Sequence, residues 1–134
     1  MNITISKAVG RVEVVIIRLD GQLDGQSYLQ LIDKARELFK EGVRDFLLDL
    51  SELTYISSAG LVALHSVALL TNGEQLPDAE AGWSTYRSVK NSATLQTHIK
   101  LLNPREEVKS VLEMVGFDRV FSVFTDYDEA VKSF

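Results

Sequence analysis

Two adjacent serines, Ser57 and Ser58, are the residues of this chain best placed to do chemistry. They follow D-L-S-E-L-T-Y-I (Asp49–Ile56) and open the uncharged run A-G-L-V-A-L-H-S-V-A-L-L, which predicts a helix from about Ser58 to Leu70. A serine ahead of an apolar helical run is a good N-cap, because its oxygen accepts one of the free N–H groups of the first turn. Ser57 suits that role. Ser58 then stands at the first helical position, beside the positive end of the helix dipole. A phosphate at that point meets unpaired N–H groups and a favourable partial charge. It would add about −1.5 to −2 charges to the surface without disturbing the fold, which is the property of a binding switch. Ser58 is therefore the expected phosphate acceptor, with Ser57 second.

At about 100° per residue, Leu61, Leu64 and Ala68 share one side of this helix and are expected against a sheet. Ser58, Val62, His65 and Leu69 share another. Such an uncharged stripe is either buried by a neighbouring helix or open to a partner, and periodicity leaves both readings standing. Enzymatic readings fail on spacing. The serines lack a Gly-x-Ser-x-Gly elbow. His65 lies roughly 10 Å along the helix from Ser58, too far for a serine–base hydrogen bond. His65 and His98 have no metal-ligand spacing, and Gly21–Gly25 is turn chemistry rather than a phosphate loop. Asp20, Asp24, Asp49 and Glu52 read as solvated loop carboxylates. No catalytic residue, metal or cofactor is expected.

The elements that must position the serines are legible around them. With 134 residues, 46% apolar and 25% charged, the chain reads as one α/β domain over residues 1–134. Its net charge of −5 argues against nucleic acid or an anionic membrane as the main partner. Cysteine is absent, so disulfides and thiolate metal sites are excluded. The opening M-N-I-T-I-S-K lacks the basic start and apolar run expected of a signal peptide. The stretch Leu53–Gly73 carries no charge, yet its continuous apolar part is too short for a membrane span. A soluble, cytoplasmic protein is the expectation.

Ile3 and Ile5 alternate with polar residues, and Val12, Val14–Ile17 and Leu19 follow Gly10; together they predict an antiparallel hairpin at a sheet edge. Ser27 and Gln30 have capping-box spacing. Leu29, Ile32, Ala35 and Phe39 mark the apolar stripe of a helix that Gly42 ends. Phe46, Leu47, Leu48 and Leu50 predict a strand covered on both faces, followed by a loop into the serines. A further strand is expected over about Gln96–Leu102. Asn103 and Pro104 predict a helix start; Val108, Val111, Leu112 and Val115 are its stripe, and Gly116 its end. Val120, Phe121, Val123 and Phe124 predict a last strand, and Asp126–Phe134 a last helix. Strands alternating with helices imply a largely parallel sheet. Thr71–Thr94 breaks the pattern: Asn72–Gly82 reads as an excursion and Trp83–Asn91 as a short helix.

The stretch L-D-L-S-E-L-T-Y-I-S-S-A-G-L resembles the signature of STAS domains, specifically the bacterial anti-sigma factor antagonists. Gly21–Asp24 (G-Q-L-D) is similar to the family's turn after its second strand, and Leu101–Phe121 to its C-terminal half. Thr71–Thr94 falls outside the resemblance and reads as an atypical insertion. The resemblance implies a mixed, mostly parallel sheet with an N-terminal strand pair and about four helices, packed mainly on one side. It places the family's phosphorylated serine on Ser58, where the family often has Asp at the position of Ser57. It further implies an anti-sigma factor serine kinase as partner, a metal-dependent phosphatase that reverses the modification, and a partner surface drawn from Asp24, Ser57, Ser58, Val62, His65 and Leu69. Two other readings stay open. One is a STAS subunit or scaffold of another assembly, such as a transport complex, that is never phosphorylated. The other is a small-ligand or nucleotide site at the same helix start.

Overall fold

The long second strand, β2 (Glu13–Leu23), is the spine of the fold. Its β-branched run Val14–Ile17 and Leu19 is buried on both sides, which suits a strand enclosed between layers. The computed structural model describes residues 1–72 and 95–134. The excursion expected over 72–82, the helix expected over 83–91 and the insertion expected at 71–94 therefore fall almost wholly outside the described residues.

Strand β1 (Asn2–Val9) pairs antiparallel with β2 from Asn2↔Asp20 to Val9↔Glu13, and Gly10 N–H bonds the Val12 carbonyl to close the hairpin. On its other pairing, β2 is parallel to β3 (Phe46–Asp49) through Val15–Arg18. Beyond that it takes a second parallel neighbour, β4 (Leu53–Ile56), through Gly21–Leu23, with a register shift between Gly21 and Gln22. Strands β5 (Ile99–Leu102) and β6 (Val123–Phe124) extend the sheet in parallel beyond β3. Among the described residues the result is a mixed six-stranded sheet, antiparallel only at β1; the mixed, mostly parallel arrangement is the expected one, and β4 is additional to the expected strands.

Helices α1 (Tyr28–Lys40), α2 (Ser58–Thr71) and α3 (Glu106–Met114) pack on the face carrying Val15, Ile17, Phe46, Leu48 and Leu101. The opposite face, with Val14, Ile16, Leu47 and Leu102, is covered by α4 (Tyr127–Lys132) through Ala130 and Val131. Alternation along β2 and β3 thus serves two cores of unequal size.

Gly42, at φ 105°, ends α1 as expected: Gly42 N–H bonds the Phe39 carbonyl and Val43 N–H the Leu38 carbonyl, the paired bonds of a Schellman cap. Four local expectations need correction. Ser27 forms no capping box, because its hydroxyl lies 2.7 Å from the Gln22 carbonyl and accepts Asp24 N–H. The buried stripe of α1 is Leu31, Ile32, Ala35 and Leu38, leaving Leu29 exposed and Phe39 half-buried under the Arg44 guanidinium. Helix α3 is capped at Arg105 rather than Asn103, since Asn103 N–H still bonds the Phe124 carbonyl and its φ of 50° is not helical. Val120 and Phe121 follow a 3-10 turn (Phe117–Arg119) into the core, so only Val123 and Phe124 form the last strand.

Candidate functional site

The start of α2 is held against the ends of β2 and β4. Ser57 N–H bonds the Leu23 carbonyl at 3.0 Å, one residue beyond the Leu23↔Ile56 pairing. Gly60 comes so close that a Cβ there would stand 2.6 Å from the Leu23 carbonyl oxygen and 2.6 Å from Ile56 Cγ1. The helix can dock in this position because residue 60 has no side chain.

Ser57 has the extended backbone of an N-cap (φ −99°, ψ 179°), and its Oγ accepts Gly60 N–H at 3.4 Å. Its carbonyl accepts the first helical bond, from Leu61 N–H. Removing the hydroxyl (Ser57→Ala) should lower unfolding free energy by about 1 kcal/mol in urea titration, while Ser57→Asp, also a capping residue, should retain it. Equal stability of Ser57→Ala and the wild type would show that the long bond contributes nothing.

Ser58 is the first residue of α2 and is exposed, and its hydroxyl makes no hydrogen bond among the described residues. The two serines are thus divided by backbone geometry into one that closes the helix and one that faces water. Asp24 follows Leu23 and so lies at the same end of the sheet. Its carboxylate accepts Gln26 N–H at 3.0 Å and lies 3.2 Å from Ser27 Oγ, while its carbonyl accepts Tyr28 N–H. Asp24 shapes the loop into α1 rather than projecting freely.

The rest of the expected stripe is not open. Val62 and His65 are only 7% and 5% exposed, and Leu69 is half-buried. As arranged here, neither Val62 nor His65 can present itself to a partner, a correction to that part of the expected surface. Every residue from Gly60 to Ala68 is buried, so α2 is enclosed on all sides rather than amphipathic. Its hydroxyls turn inward to the helix itself: Ser66 donates to the Val62 carbonyl and Thr71 to the Ala68 carbonyl. Among the described residues, Ser58 is the exposed residue of α2, and Ala59, Leu69 and Leu70 are half-buried at its two ends.

Two contributors were missed from sequence. Leu53–Ile56, read as loop, is strand β4; the β-branched and aromatic content of L-T-Y-I was the available signal. Gly60 carries no local signal, since its role lies in a contact with Leu23 far away in the chain. Among the described residues, no three His, Cys, Asp or Glu side chains gather as a metal site, and no helix is long and apolar enough to cross a membrane.

No curated protein matches the chain in sequence. Among solved structures, an anti-sigma factor antagonist from Mycobacterium paratuberculosis is similar at a TM-score of 0.63 and 16% identity, covering 98% of this chain and 93% of that one. The anti-sigma factor antagonist SpoIIAA in its unphosphorylated form is similar at 0.60 and 21% identity, covering 97% and 93%. The Bacillus cell fate determinant SpoIIAA in its phosphorylated form is similar at 0.55 and 18%, covering 97% and 96%. These likenesses concern the fold. A family model described as "Mlab, STAS domain" matches residues 8–77, from the end of β1 past the whole of α2. With that match spanning more than half its length, and a mixed sheet that carries a capped serine pair at the mouth of α2, the chain belongs to the STAS domain family.

Proposed function

We propose that this protein is an anti-sigma factor antagonist, a cytoplasmic regulatory module without catalytic activity, whose binding is switched off by phosphorylation of Ser58. The observation that carries this reading is the division of labour at the start of α2. Ser57 caps the helix, so Ser58 is exposed and its hydroxyl is not committed to the fold. The likeness in fold to antagonists, one of them in both phosphorylated and unphosphorylated forms, supports it. In this reading the unmodified first turn of α2, with the neighbouring Asp24 loop, docks on an anti-sigma factor that is itself a serine kinase. Transfer of phosphate from ATP to Ser58 Oγ adds charge to that surface and releases the partner. A metal-dependent phosphatase restores the hydroxyl.

Intact-mass measurement of the protein from its own cells, with the modified residue mapped, tests this. A phosphorylated fraction at Ser58 is expected, and it should vanish in Ser58→Ala. No phosphate under any growth condition, together with no kinase recovered on the protein, would sink the switch. A second reading, an unphosphorylated STAS subunit of another assembly such as a transport complex, is favoured by Ser57 standing where antagonists often have Asp. In that case the recovered partner is not a kinase, and Ser58→Asp changes its binding little.

A further inference from the structure

Lys100 is only 8% exposed, on the sheet face away from α1–α3. A buried ammonium group is rare unless it is hydrogen-bonded. Its Nζ donates to the Ser133 carbonyl at 2.8 Å and lies 3.0 Å from Ser133 Oγ, which itself donates to the Ala130 carbonyl at 2.6 Å. The ammonium also sits 4.7 Å from the ring centre of Phe134 and 5.8 Å from that of Phe124. Burial lowers its pKa from the ordinary lysine value, and the charge of Asp45 opposes that shift.

All the groups that bind Lys100 from the far side belong to α4 or its flanks. That helix has six residues, too few to be stable alone; its buried side chains are Ala130 and Val131, and Phe134 packs beside them. Its start is closed locally, by Asp126 accepting Glu129 N–H. The strand leading into it, β6, is two residues long. A small apolar patch and one charged peg therefore hold an element whose other side faces water.

We propose that α4 is a latched strap: it opens as a unit separate from the main core, the Lys100 ammonium is the latch, and its opening uncovers the second sheet face at Val14, Ile16 and Leu47. Replacing the Lys100 ammonium by an apolar group removes the charged donor to the Ser133 carbonyl and frees the strap. The surface so exposed lies away from the Ser58 turn, so strap opening is a conformational control distinct from phosphorylation.

Hydrogen exchange on the full chain tests this by comparing Lys100→Met, which keeps the volume but removes the charge, with the wild type. In the wild type the amides of Ala130–Ser133 should exchange faster than those at the centre of α1. Lys100→Met should speed them on the order of tenfold or more, since a charge-assisted bond is lost, and leave α1 unchanged. Phe134→Ala, a change on the strap that cannot damage the main core, should move the same amides in the same direction. The strap is overturned if Ala130–Ser133 exchange only together with α1, or if Lys100→Met leaves them unchanged or slows them. If Lys100→Met also disturbs α1, Phe134→Ala decides: faster exchange confined to α4 supports the strap, and any other result overturns it.

Discussion

Ser58→Asp should weaken binding of the unmodified protein's partner by about a hundredfold or more, because a fixed charge placed in a docking surface costs several kcal/mol when it meets like charge or loses water. Thermal stability should hardly move. The residue is exposed at the first turn of α2, where a carboxylate gains from the helix dipole about as much as it loses, on the scale of 0.3–1 kcal/mol. Titration calorimetry with the partner recovered from the native cells, beside a melting curve of each variant, checks both halves. Under the switch proposed for Ser58, Ser58→Ala should bind as the wild type does and carry no phosphate. Unfolding of Ser58→Asp would show that the side chain is structural. Unchanged affinity in a stable protein would remove the first turn of α2 from the interface.

Gly60→Ala should be the most destabilising single methyl group at this site. The added Cβ would meet the Leu23 carbonyl oxygen and Ile56 Cγ1, both at 2.6 Å, and Leu23 Cγ at 3.1 Å. A side chain can yield, but the Leu23 oxygen is backbone and accepts Ser57 N–H, so relief must move the helix cap itself. Overpacking of this kind costs about 1–3 kcal/mol, and strain on the cap bond adds about 1 kcal/mol. Alanine recovers up to about 1 kcal/mol through its better helix propensity. A net loss of about 2 kcal/mol is expected in urea titration. Gly25→Ala, where a Cβ meets nothing within 4 Å, should be nearly neutral and serves as the control. A Gly60→Ala protein as stable as the wild type would mean that α2 does not dock this tightly on β2.

The sequence determined what local physics controls. Hydrophobic alternation announced β1, a β-branched run β2 and a nearly continuous apolar run β3, because a strand shows the covering of its two faces residue by residue. Gly42 and Gly116 marked the ends of α1 and α3, because a left-handed cap selects glycine wherever it occurs. The separation of Ser57 from Ser58 followed from capping geometry, which needs only the residues of one turn.

The tertiary structure decided what distant residues share. Whether Val62 and His65 were open or enclosed could not be read from an uncharged helix, because a period reports which residues align and not what covers them. The capping box at Ser27 failed because the Gln22 carbonyl and Asp24 N–H competed for the same hydroxyl. No local pattern marks the approach of Gly60 to the Leu23 carbonyl or the closing of Ser133 and Phe134 over Lys100, because both contacts join residues far apart in the chain. The sequence by itself placed two serines at a helix mouth. Folding left one of them exposed there, while the end of β2 took the other's backbone N–H and the helix from Gly60 to Ala68 was buried.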